Sequence, residues 1–146
     1  MKILVTCFKP FLVLDRIFGN PSQRAGERLS KEFTQTDLLI MDVNSDCLLQ
    51  LREKLMENYD FIFMLGEGDG FRIETKTSKG ERSLFAEEIK RRIDITKKED
   101  IGTYFCDRVY SYALKLNKNT IFIHLPLFYN YLRLKKIFME CITWDL

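Results

Sequence analysis

The chain has 146 residues, 46% of them apolar and 30% charged, which suits one domain able to bury roughly two thirds of its unfolded surface. A formal net charge of +2 argues against a large electrostatic commitment to nucleic acid or to a membrane surface, and no apolar run approaches the ~20 residues of a bilayer span. The opening MKILVTC is too short and too β-like for a signal peptide, so a cytoplasmic location is expected.

Lys2 to Cys7 is a near-continuous apolar, β-branched run, the pattern of a strand covered on both faces in a parallel sheet. Phe8 to Gly19 reads as a loop broken by Pro10. Asn20 is a good N-cap and Pro21 a good first helical residue, so a helix is expected from there to about Phe33. Leu38 to Met41 reads as a short strand, and Leu48, Leu51 and Leu55 at helical spacing place a helix after Ser45, running to about Asn58.

Asp60 to Leu65 is a third buried strand that runs into the glycine loop Gly66 to Gly70, GEGDG. Phe71 to Thr77 alternates, with Phe71, Ile73 and Thr75 on one face and Arg72, Glu74 and Lys76 on the other. A helix is expected over Ser83 to Ile93, then a charged connection, KKED. GEGDG lacks the G-x-G-x-x-G spacing of a dinucleotide fingerprint, and Glu67 and Asp69 would repel phosphate.

Asp100 to Leu116 reads as an amphipathic helix with Ile101, Phe105, Val109, Tyr112 and Leu116 as its apolar stripe. Cys106 lies one step off that stripe near the amino end, where unpaired N–H groups and the helix dipole favour a thiolate. A free cysteine is more often a small core hydrophobe than a nucleophile, so its neighbours decide. Thr120 to Leu125 is the last buried strand and carries the chain's only histidine, His124. Pro126 ends it, and a final helix is expected over Phe128 to Ile142.

Alternating strands and helices make this a three-layer α/β/α sandwich with a mostly parallel, mixed sheet in a single domain over residues 1–146. Ligands of such sheets bind beyond the carboxyl ends of the strands, where Phe8, Gly66 and His124 are expected. Cys7, Cys47, Cys106 and Cys141 are scattered without the close pairs of metal or redox motifs, so no metal and no cofactor is expected.

Five segments in the right order resemble pyroglutamyl peptidase I, also called pyrrolidone carboxyl peptidase: VTCFKPF, NPS, the strand and glycine loop from Phe61 to Glu74, GTYFC and FIHLP. The resemblance implies a cysteine exopeptidase that removes an amino-terminal pyroglutamyl residue from peptides through a thioester. It implies Cys106 as nucleophile, His124 as base and Glu74 as orienting carboxylate. Read without it, Glu74 is a solvated strand residue pairing with Arg72 or Lys76. It also implies Phe8 and Phe11 stacking on the lactam, Tyr104 helping to close the pocket, a peptide as partner and homo-oligomerisation. Cys7, Lys9, Leu12 and Val13 depart from the family's first loop, and its oxyanion arginine has no clean counterpart. Arg82 is the nearest candidate, beside the Cys106 backbone N–H. The altered loop leaves an alternative: a divergent relative that binds or cleaves another small amino-terminal group.

Overall fold

The structure, a computed structural model, describes residues 1–93 and 104–144, with Tyr104 described by its backbone alone. The elements run β1 (Ile3–Phe8), α1 (Asp15–Phe18), α2 (Pro21–Glu32), β2 (Thr36–Met41), α3 (Cys47–Lys54), β3 (Phe61–Glu67), β4 (Arg72–Glu74), α4 (Leu84–Ile93), α5 (Tyr104–Leu116), β5 (Thr120–Leu125) and α6 (Tyr131–Ile142). The five strands form one sheet in the order β2-β1-β3-β5-β4. All neighbours are parallel except β4, which runs against β5 and pairs Arg72 with His124 and Glu74 with Phe122.

Alternation along β3 shows why the strands are so apolar. Phe61, Phe63 and Leu65 join the core made with α2, α4 and α6, while Ile62 and Met64 join the second core with α3 and α5. With both faces covered, the sheet needs apolar residues at successive positions. The three-layer α/β/α sandwich with a mixed sheet is the architecture observed. Among the described residues no helix is long and apolar enough to cross a membrane.

Local chemistry sets the element ends. Asn20 caps α2 by accepting from the Ser22 N–H at 2.9 Å, with Pro21 at the first helical position. Two segments differ from expectation. The stretch from Phe8 to Gly19, read as a loop, contains α1, because the buried Asp15 carboxylate collects the N–H groups of Phe11 and Leu12 and Gly19 closes the turn at φ 77°. In α5 the buried positions are Cys106, Val109, Tyr110, Ser111 and Ala113, whereas Leu116 is exposed. The buried stripe is therefore rotated from the expected one: small and sulfur-bearing residues let the helix lie close to the sheet, and the larger Phe105 and Tyr112 flank it. The expected helix start before residue 104 and the KKED connection lie outside the described residues.

Candidate active site

Strand β5 delivers His124 to the carboxyl edge of the sheet, and the antiparallel β4 brings Glu74 beside it. Both point to the face that α5 covers, as period-two geometry requires from Phe122, which is packed in that core. Glu74 Oε1 lies 2.7 Å from His124 Nδ1, with the two residues 4% and 2% exposed. A carboxylate at that distance accepts the Nδ1–H and leaves Nε2 as the working nitrogen. Nε2 is buried and without a hydrogen-bond partner among the described residues.

Cys106, 7% exposed in the first turns of α5, lines the same small cleft as Glu74, Lys76, Asp107, Tyr110, Phe122 and His124. Burial works against a charged imidazole at His124. The neighbouring Cys106 sulfur and the Glu74 carboxylate hydrogen-bonded at Nδ1 outweigh it and raise the ring's pKa from 6.5 to about 9. Among the described residues no sulfur–ring pair meets hydrogen-bond geometry, and the two side chains meet as linings of one cleft.

Two glycines make room for this meeting. A Cβ on Gly66 would stand 2.8 Å from the Phe122 ring and 3.0 Å from Cys106 Sγ, and one on Gly68 would stand 3.0 Å from His124 Cβ. Bare backbone at Gly66 and Gly68 thus lets the sulfur and the imidazole pack close to this strand and loop. Tyr110 O–H donates to the Glu74 carbonyl at 2.7 Å and fixes the strand that carries the carboxylate. Asp107 accepts from the Ser78 N–H at 2.7 Å, tying the start of α5 to the segment after β4.

The remaining expected site residues are placed differently. Phe8 is buried in the same core cluster as Cys106, and Phe11 is 45% exposed on the first loop; neither lines the cleft. The side chain of Tyr104 lies outside the described residues. Arg82 is a correction: its guanidinium pairs with Glu87 Oε1 at 2.6 Å and borders a separate cavity with Leu84, Phe85, Lys118 and Trp144. The chain turns at Gly80 (φ 86°) before Arg82, which bridges Lys76 in antiparallel fashion; Lys76 lines the cleft and Arg82 does not. Lys76 was missed although period two from Glu74 places it on that face. Tyr110 was missed although it follows Cys106 by four residues.

The other thiols differ in setting. Cys7, Cys47 and Cys141 are buried and free. Burial first, then Glu27, pushes Cys7 up to about 12, and burial likewise raises Cys47 and Cys141. Among the described residues no group of three or more His, Cys, Asp or Glu side chains is placed to hold a metal.

No protein-family model matches the sequence, and no curated protein matches it. Solved structures do. Pyrrolidone carboxyl peptidase from Thermus thermophilus is 17% identical with a TM-score of 0.71, over 96% of this chain and 98% of that one. Pyroglutamyl peptidase I from Bacillus amyloliquefaciens is 18% identical with a TM-score of 0.62, over 96% of this chain and 94% of that one. The chain therefore shares the fold of these pyrrolidone carboxyl peptidases over most of its length.

Proposed function

We propose that the protein is a thiol-dependent hydrolase that removes an amino-terminal pyroglutamyl residue from peptides. The observation that carries this is the 2.7 Å contact between Glu74 and His124 at a cleft that Cys106 also lines. An imidazole held cationic at neutral pH stabilises a neighbouring thiolate. Cys106 Sγ attacks the pyroglutamyl carbonyl carbon, and the backbone N–H of Cys106 receives the oxyanion. The C–N bond breaks as His124 Nε2 gives its proton to the leaving amine, leaving a thioester. Water then loses a proton to His124, adds to the thioester and releases pyroglutamate and the thiol. Glu74 holds the ring's tautomer and its charge throughout. In this reading Phe11 and Tyr104 close over the lactam, and the protein is cytoplasmic and self-associates, which sedimentation would reveal.

The test is release of a chromophore from a pyroglutamyl amide. Turnover is expected in the native protein, with loss in Cys106→Ala and after iodoacetamide. Well-folded protein that turns nothing over across a wide pH range would refute the proposal. A second reading has its own support: neither Phe8 nor Phe11 borders the cleft. In that reading the protein is a divergent relative that cleaves or binds another small amino-terminal group. Fast, selective alkylation of Cys106 with no turnover of pyroglutamyl amides, but turnover of other small amino-terminal amides, would favour it.

A further inference from the structure

On the opposite face of the sheet from Cys106 lies a second cluster of buried polar groups. Gly66 pairs with His124 in register and faces α5; Glu67, the next residue, pairs with Leu125 and faces α2. There Asn20 Nδ2 lies 3.2 Å from Glu67 Oε2, 3.3 Å from Asp15 Oδ2 and 3.3 Å from the Lys9 carbonyl. Asn20 Oδ1 accepts from Ser22, whose hydroxyl accepts the Phe8 N–H at 3.0 Å. Asp15 Oδ2 also accepts the N–H groups of Phe11 and Leu12 at 3.0 and 3.2 Å.

Two facts single out this cluster. The first loop gains little from apolar burial, because Phe11, Leu12, Val13 and Leu14 are all exposed. Its fixed shape therefore depends on the polar anchors that Asp15 provides. Second, Asp15 is 2% exposed and its Oδ1 has no donor among the described residues. Asn20 Nδ2 brings the Asp15 and Glu67 carboxyl groups to a single nitrogen, at 3.3 and 3.2 Å. A proton on Glu67 is the donor that this buried carboxylate lacks.

We propose that Asp15 and protonated Glu67 form an acid–carboxylate pair, joined through Asn20, that anchors the first loop and loosens it when Glu67 ionises. The charged groups acting on Glu67 are Asp15 from α1 and Arg24 from α2. Burial, and next the hydrogen bond and charge of Asp15, raise Glu67 from 4.5 to about 7, against the opposing pull of Arg24. A carboxyl whose folded pKa is raised adds stability that is complete below the unfolded value, 4.5, and is lost as pH rises through about 7. Above that pH two carboxylates face each other, and Asn20 Nδ2 has two hydrogens for three acceptors, the Lys9 carbonyl being the third. The consequence for catalysis, through Phe11, rests on the hydrolase reading; the ordering of the loop does not.

Amide hydrogen exchange of Phe11 and Leu12, corrected for intrinsic rates and referenced to a core amide such as Val109, tests this directly. Protection of both amides is expected to fall about tenfold or more between pH 6 and 8.5 in the native protein. In Glu67→Gln the side-chain amide can donate to Asp15 at any pH, so protection should stay flat. Asp15→Asn should leave both amides poorly protected throughout. Protection that is constant with pH in the native protein, or that falls equally in Glu67→Gln, would overturn the inference. Should Glu67→Gln fail to fold, the native titration alone still decides. With a working pyroglutamyl assay, KM should rise above pH 7 in the native protein and not in Glu67→Gln. A loop that behaves as stated without turnover sinks the hydrolase reading alone; turnover with a pH-indifferent loop sinks this one alone.

Discussion

Replacing Glu74 by Gln removes the charge beside His124 while keeping the side chain's shape. The carboxylate sits 2.7 Å from Nδ1 with both residues nearly fully buried, so the bond is charge-assisted and only weakly screened. Hydrogen bonds to charged partners contribute about 1.5–3 kcal/mol, or about 1–2 pKa units. His124 should therefore fall from about 9 to roughly 7–8 in Glu74→Gln. The shift has a natural bound, since burial pulls the ring down and Cys106 still holds it up. The assay is unambiguous because the chain has one histidine: its Cε1–H resonance, followed by NMR over pH 5 to 10, belongs to His124. Turnover should drop about 10³-fold or more, because an amide can also stabilise the wrong tautomer. A His124 titration that moves by less than about 0.3 unit would show that Glu74 is not the charged partner of the ring, and the three-residue mechanism would fail.

Gly66→Ala should cost about 1–3 kcal/mol in urea unfolding and lower the rate of Cys106 alkylation, since the new methyl would stand 2.8–3.0 Å from Phe122 and the sulfur. Tyr110→Phe leaves the buried Glu74 carbonyl without its 2.7 Å donor, so a loss of about 1–3 kcal/mol is expected, with reduced kcat at unchanged KM. Arg82→Ala should change stability by less than about 1 kcal/mol and leave turnover intact, because its partner is Glu87 and it borders another cavity. Iodoacetamide at neutral pH should label Cys106 well ahead of Cys7, Cys47 and Cys141, whose thiols burial holds protonated; equal slow labelling of all four, read by peptide mass, would contradict this.

The sheet was legible because its strands are covered on both faces and so appear as uninterrupted apolar runs; Lys2 to Cys7, Asp60 to Leu65 and Thr120 to Leu125 each lie within one residue of the observed strand at their starts. The alternation of Phe71 to Thr77 was also legible, but not its consequence. Sequence alone leaves Glu74 among the cations Arg72 and Lys76, whereas antiparallel pairing with β5 buries it against His124. That contact spans 50 residues, and no local pattern encodes it. The buried stripe of α5 escaped for a related reason. Periodicity weighs large apolar residues, while the face that touches the sheet is chosen by close approach, which favours Cys106 and Ala113 over Phe105 and Leu116. Asp15 looked like a loop residue because its role is to collect backbone N–H groups, which leaves no periodic trace.

Gly66 and Glu67 connect these two kinds of information. They are consecutive, yet strand geometry sends one toward Cys106 and His124 and the other toward Asp15 and Asn20. The sulfur and the imidazole approach because position 66 has no side chain; the first loop is tied to the sheet because position 67 has a carboxyl group. Changes in the first loop, such as Leu12 and Val13, therefore act on anchors that lie across the sheet from the Glu74–His124 contact, and nothing in that contact depends on them. A chain of this fold can alter its first loop while the arrangement of sulfur, imidazole and carboxylate stays in place. Altered selectivity is therefore the expected result of divergence in that loop, and loss of chemistry is the expected result of a side chain added at Gly66 or Gly68.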